Sequence, residues 1–428
     1  MPSRFYYVPV SSKVYHNWVL FVRKNVNQNY SLVVRQREPV EYSRKFRMLE
    51  SMPVSWLIYH LGKAYRRIRR RKLNLYYEKD SMKAEEGTFE IFQRAMELGT
   101  SSNYFILDSR SEDWERLSGI KNVVAKYSLK YYWLLYSSDC FISTETSSHL
   151  NVHRARNKYL RKALLERPLI FLQHGVTYLK CQGPSSVFGR GKEGEPAYMI
   201  VGSEKERAAA ARMLHIKMEK CIITGLPIFS TIAYEHIHED SEDIVTIMLT
   251  WKLSEEHLLT HFEDSKYYHF VREIYLMLQD LVPCERIRIV PHPKVKDMLL
   301  GTSLREMVWQ GSVAEVLGTT KLLITDYSSV CYNAFYQGAA VIFFQPDLAE
   351  YEKEVGKLIP EPEEYIGYRT FNVEELQQTL RTGLQEGRVN LAYLRNQEYV
   401  RRYREINQFH DGRNIDRIVD WMKGQQII

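Results

Sequence analysis

The chain has 428 residues, 45% apolar and 26% charged, with 30 Tyr and 7 Trp; this excludes a disordered or fibrous protein and exceeds what one hydrophobic core serves. Its five cysteines, Cys140, Cys181, Cys221, Cys284 and Cys331, stand singly, which argues against a disulfide framework and a structural zinc site and fits a reducing cytoplasm. The formal charge of +7 is uneven: residues 1–80 hold 17 Lys and Arg against 5 Asp and Glu, a net of +12 that leaves −5 for the rest, so basicity is local and suits contact with an anionic surface.

Residues 1–54 carry no interpretable motif. Residues 55–72, SWLIYHLGKAYRRIRRRK, predict a helix in which Leu57, Leu61, Ala64 and Ile68 form one stripe while Lys63, Arg66, Arg67 and Arg70 lie on another face. That is the pattern of an interfacial helix, with Arg66, Arg67 and Arg70 as candidate contacts to an anionic membrane surface. A solvated basic face packed on the first lobe is the alternative. A nucleic acid is the competing polyanion, but no recognised nucleic-acid module accompanies the patch. No run approaches the roughly 18 apolar residues of a membrane span, and the N-terminus lacks the order of a signal peptide. The expected location is therefore cytoplasmic, peripheral on the inner face of the cell membrane.

From about residue 100 short apolar runs alternate with helical patterns. Strands are predicted at 104–107, 140–143, 169–173, 198–201 and 221–224, with a helix at 204–214. The polar, acidic stretch 234–243 reads as a linker. A second series follows, with strands at 244–249, 286–290, 321–325 and 341–344, helices at 266–281 and 330–337, and closing helices at 373–385, 391–406 and 414–422. The fold expected is α/β: two Rossmann-like lobes, residues 77–233 and 244–428, around a cleft, preceded by a basic N-terminal segment at 1–76. Ligands in such sheets sit outside the carboxyl ends of the strands.

Three motifs fall at such ends. Gln173-His174-Gly175 follows the apolar run 168–172, where His174 could act as a general base; the alternative is a loop histidine bonded locally. Pro291-His292-Pro293-Lys294 follows the strand at 286–290, and its prolines stiffen the backbone around the imidazole; taken alone, a structural turn is the better reading. Thr325-Asp326-Tyr327-Ser328-Ser329 joins a strand to a helix, where free N–H groups and the helix dipole favour an anion such as phosphate. An ordinary N-cap without a ligand is the alternative.

Together, QHGVTYLK, the TGLP ending at Pro227, LTWK ending at Lys252, PHP, ITDYSSV, the FFQPDLAEY that contains Glu350, and the closing Asp411-Gly412 with Arg417 resemble the CDP-glycerol glycerophosphotransferases, in that family's order, from about residue 77 to the C-terminus. The resemblance implies a GT-B-like fold with His174 as catalytic base and His292 as a second catalytic histidine contacting the donor phosphates. Gly175, Thr325, Asp326, Ser328 and Ser329 would hold the donor pyrophosphate, and Glu350 the ribose. The donor would be CDP-glycerol or CDP-ribitol, the acceptor a lipid-linked envelope glycan; no metal or other cofactor is demanded, and no oligomeric state is implied. Ile228, Phe229, Thr250-Trp251-Lys252 and Asn333 depart from the family's usual residues. The competing functions are a sugar-nucleotide glycosyltransferase of the same fold and a non-catalytic glycopolymer-binding protein.

Overall fold

The computed structural model describes residues 9–24, 30–151, 157–181, 186, 188–192 and 194–428. Strands β1 (Pro9–Tyr15), β2 (Trp18–Lys24) and β3 (Tyr30–Gln36) form an antiparallel sheet in the segment that carried no sequence motif. Val19 is buried while Trp18, Leu32 and Val34 face outward, so this sheet is apolar on both faces and lacks the clean alternation that marks a half-buried strand.

The helix Met52–Ile68 follows. It buries Ser55, Tyr59 and Gly62 against the helix Leu129–Ser137. Gly62 is required by proximity, because a Cβ there would stand 2.6 Å from the Tyr136 carbonyl oxygen.

Two parallel sheets carry the rest. The first holds β4 (Leu73–Tyr77), β5 (Ser102–Leu107), β6 (Val123–Ala125), β7 (Cys140–Ser143), β8 (Leu169–Phe171), β9 (Tyr198–Val201) and β10 (Cys221–Ile223), in the order β10-β9-β8-β7-β4-β5-β6. The second holds β11 (Ile244–Met248), β12 (Ile287–Ile289), β13 (Thr320–Thr325), β14 (Ala340–Phe344) and β15 (Tyr368–Thr370), in the order β12-β11-β13-β14-β15. Both sheets are covered by helices, so their strands are nearly continuous apolar runs. Chain order reverses at β4 and β7 in one sheet and at β11 and β13 in the other, and the crevice opens at those switch points.

The structure moves two boundaries. β4 starts at Leu73, inside the segment assigned to the basic N-terminus, and lies mid-sheet between β7 and β5. Its buried Asn74, which weakened the strand pattern, gives its amide to the Ile427 carbonyl at 2.9 Å. The helix Asn414–Gly424, counted with the second lobe, packs on the first sheet: Ile415, Ile418, Val419 and Met422 join one apolar cluster with Tyr76, Phe92 and Ile200. The predicted helix at 391–406 is two, Leu391–Leu394 and Gln397–Ile406, broken where Asn396 caps the second by accepting the amides of Glu398 and Tyr399.

Candidate active site

His174 leaves β8 through Gln173, whose φ of 62° lies in the left-handed region. That turn is held from below by buried Glu206, which accepts the Thr177 amide at 2.6 Å, the Gln173 side-chain amide at 3.2 Å and the Gly202 amide. Burial pushes the Glu206 carboxyl up to about 7, and these donors oppose the shift. The imidazole above is half exposed, at 53%. Its Nδ1 lies 3.4 Å from the Thr144 carbonyl and 3.7 Å from Glu145 Oε1. Among the described residues no hydrogen-bond partner engages Nε2, the nitrogen left to act as a base.

The second lobe meets this loop directly. A Cβ on Gly175 would lie 3.4 Å from the Ser329 hydroxyl, so the glycine lets the two motifs approach. Ser328 and Ser329 are partly exposed at the start of the helix Val330–Gln337. Ser329 does not cap that helix with its side chain, so its hydroxyl is not taken up in the N-cap that was the alternative reading of this turn.

Thr325 and Asp326 have other duties. The Thr325 hydroxyl donates to the Met248 carbonyl at 2.7 Å, tying β13 to β11. The Asp326 carboxylate accepts the Thr250 amide at 3.0 Å, the Thr250 hydroxyl at 2.8 Å and the Tyr327 amide. This clamps the LTWK loop to the turn, with its negative charge turned to those donors.

His292 is partly buried beyond β12. Its Nδ1 accepts the Lys294 amide at 3.2 Å, which leaves Nε2 as the N–H donor. Burial lowers its pKa, and Lys294 and Lys180 lower it further. Glu350, by contrast, is 70% exposed and its carboxylate is paired with Lys266 at 2.5 Å.

Two lysines emerge that sequence reasoning did not single out as site residues. Lys180, at the end of QHGVTYLK, is largely shielded. Burial lowers its pKa while Asp326 opposes the shift, which places its ammonium near the turn. Lys252 pairs with Asp347 beside the stacked rings of Tyr327 and Tyr351, whose centroids are 3.7 Å apart. Lys180 was legible as the one cation of its motif; the partner of Lys252 lies 95 positions on and no local pattern points to it.

Of the basic helix residues, Arg66 donates to the Tyr136 carbonyl at 3.1 Å. It is a packing contact, because its guanidinium reaches the carboxyl end of the neighbouring helix, where the backbone is rich in acceptors. Arg67 and Arg70 are exposed. Among the described residues no group of three or more His, Cys, Asp or Glu could hold a metal ion.

Residues 63–423 match the family described as CDP-Glycerol:Poly(glycerophosphate) glycerophosphotransferase. This chain belongs to that family. The minor teichoic acid biosynthesis protein GgaB of Bacillus subtilis (strain 168) is 23% identical over 286 residues, which are 61% of this chain and 31% of that protein. The chain thus spans about a third of that relative's length. Among solved structures, the wall teichoic acid polymerase TagF superposes with a TM-score of 0.61 at 16% identity, covering 91% of this chain and 99% of the other. A TagF structure soaked with CDPG gives 0.60 at 13% identity, with the same coverages. The fold of this glycerophosphotransferase-family chain is therefore GT-B-like.

Proposed function

We propose that the chain transfers glycerol phosphate, or a related alditol phosphate, from a CDP-linked donor to a hydroxyl of a lipid-linked cell-envelope glycopolymer. In this reading the acceptor oxygen gives its proton to His174 Nε2 as it attacks the distal phosphorus of the donor. The bond from that phosphorus to the bridging oxygen breaks, and CMP leaves with that oxygen. His292 Nε2–H, Lys180, the Ser328 and Ser329 hydroxyls and the N-terminus of the helix that follows them neutralise the charge that builds on the pyrophosphate. No cofactor enters these steps.

The observation that carries the reading is the juxtaposition of Gly175 and Ser329, 3.4 Å apart when a Cβ is built on the glycine. It supports the reading because it brings the loop that carries His174 close to a turn whose hydroxyls and helix N-terminus suit an anion. Transfer to a membrane-held acceptor also fits the helix Met52–Ile68, whose Trp56, Leu57, Leu61 and Ile68 point outward beside Arg67. No helix among the described residues is long and apolar enough to cross a membrane.

The test is incubation with CDP-glycerol, CDP-ribitol and UDP-sugars beside a lipid-linked acceptor, scoring the nucleotide released. CMP is expected. A nucleoside diphosphate would instead mark attack at a sugar carbon and overturn the phosphotransfer reading.

A further inference from the structure

Three neighbouring strands of the first sheet, β4, β7 and β8, end on one cluster of titratable groups. β7 pairs with β8 through Ser143 and Phe171, and with β4 through Ser143 and Tyr77. Just beyond these ends stand Asp80, Glu145 and His174. Glu145 is only 13% exposed, and its backbone amide donates to the Ser143 hydroxyl at 3.0 Å. Its two oxygens face two imidazoles: Oε1 lies 3.7 Å from His174 Nδ1 and Oε2 lies 3.4 Å from His149 Nε2. The far side of His149 is held by Asp80, whose backbone amide donates to Nδ1 at 3.1 Å and whose Oδ1 is 2.9 Å from the same nitrogen. Lys126 fixes the same corner by donating to the carbonyls of Asp80 at 2.6 Å and His149 at 2.9 Å.

We infer that Glu145 is the positioning carboxylate of His174, itself oriented by His149 and Asp80. The inference rests on the reading of His174 as the base. The Thr144 carbonyl accepts from Nδ1 at 3.4 Å and the Glu145 carboxylate stands on the same side of the ring at 3.7 Å, so an Nδ1 proton is favoured and the lone pair stays on Nε2. When Nε2 takes the acceptor's proton, the cation that forms has a carboxylate beside it. The same logic orients an imidazole in serine hydrolases, where the carboxylate fixes tautomer and direction without itself taking the proton.

Other charges face this group and set the background. Glu86, partly exposed and bonded by the Thr144 hydroxyl, is a second carboxyl near His174; desolvation raises its pKa, and His174 and the Thr144 hydroxyl oppose the shift. Glu78 behind it accepts the amides of Glu85, Glu86 and Thr88. Burial and the neighbouring Glu86 push its carboxyl up to about 8, opposed by those amides. Lys79 stands beside Glu86 and opposes its charge. From the second lobe the uncharged Ser329 hydroxyl faces Gly175, and His292 is close enough to feel Lys79 and Lys180 of the first lobe.

The experiment compares the full-length protein with Glu145→Gln, His149→Gln and His174→Ala, measuring CMP release from CDP-glycerol with a soluble acceptor analogue from pH 5 to 9, together with CDP affinity. Glu145→Gln keeps the shape and loses the charge. Its kcat should fall at least about tenfold with CDP affinity unchanged. Its acid limb should move down by roughly half to one unit, because an imidazolium without its carboxylate gives up its proton at lower pH. His149→Gln, which loosens the carboxylate without removing it, should lower kcat less and leave the limb nearly in place. If Glu145→Gln misfolds, His149→Gln decides: kcat within twofold of the parent overturns the inference. An inactive His174→Ala beside a Glu145→Gln variant with unaltered kcat and acid limb also overturns it. An active His174→Ala would remove the base reading itself, a separate outcome.

Discussion

His292 presents Nε2 as an N–H donor, because the Lys294 amide occupies its other ring nitrogen and burial with two nearby lysines disfavours the imidazolium; in the proposed reading this N–H meets the donor. In the proposed reading the positive charge at the pyrophosphate would come from Lys180, whose shielding would strengthen its attraction to an anion over that of a surface lysine. Hydrogen bonds to charged groups contribute about 1.5–3 kcal/mol, so His292→Ala and Lys180→Ala should each weaken CDP binding by about tenfold or more in calorimetric titration. Ser328→Ala should weaken it by a smaller factor. Thr325→Val should leave affinity nearly unchanged and lower thermal stability, since that hydroxyl joins β13 to β11. Unchanged CDP affinity in both His292→Ala and Lys180→Ala would mean that the donor lies elsewhere. The sequence placed the histidines at strand ends, but not which of their nitrogens is free, because that follows from amides and carbonyls on other segments.

The helix Met52–Ile68 shows the same division at the scale of an element. Its amphipathic pattern reads directly from the sequence, and the stripe of Leu57, Leu61 and Ile68 does face outward, Ile68 at 78% exposure. The basic residues split: Arg66 and Arg69 bond the carbonyls of Tyr136 and Ser137, while Arg67, Arg70 and Arg71 are exposed. Vesicle binding is therefore tested with Arg67, Arg70 and Arg71 changed to Gln. Each basic residue near an anionic surface contributes about 1 kcal/mol, so this variant should lose binding to anionic vesicles by tenfold or more, and the parent should be released as salt rises. Neutral vesicles should bind weakly, and CMP release with a soluble acceptor analogue should hardly change. Co-sedimentation that is equal for parent and variant would rule out an electrostatic role for these arginines.

At the scale of the molecule, the chain crosses between lobes twice. It passes from the first sheet to the second through residues 234–243, and returns with the helix Asn414–Gly424, which docks beside the TGLP turn. Gly225, at φ 79°, leaves room for the Asn414 side chain, which donates to the Leu226 carbonyl at 2.9 Å. The first lobe is thus built from segments on both sides of the second in sequence, and one apolar cluster containing Phe171, Leu323 and Phe343 joins the two. Ile418 is fully buried in the first-lobe cluster. Ile418→Ala should cost about 2–5 kcal/mol and lower the thermal transition by several degrees. CDP affinity at room temperature should persist, because the residues proposed to face the pyrophosphate lie elsewhere. An unaltered transition would show that the terminal helix contributes little to the first lobe.

By itself the sequence determined the alternation of strands and helices, the linker, the motifs at strand ends and, through those motifs, the family. These follow from local periodicity and from residue types that turns and sheet edges require. It did not determine that β4 begins at Leu73, since the amide of Asn74 is satisfied mid-sheet by the Asn103 side chain and by the Ile427 carbonyl from a distant segment of the chain. Nor could it show that Asp326 is turned to Thr250, that Glu350 pairs with Lys266, or that Glu145 stands between two histidines. Each of these is a charge whose role is set by its nearest partner in space. Where that partner sits on another strand or helix, only the packing of the sheets brings the two together.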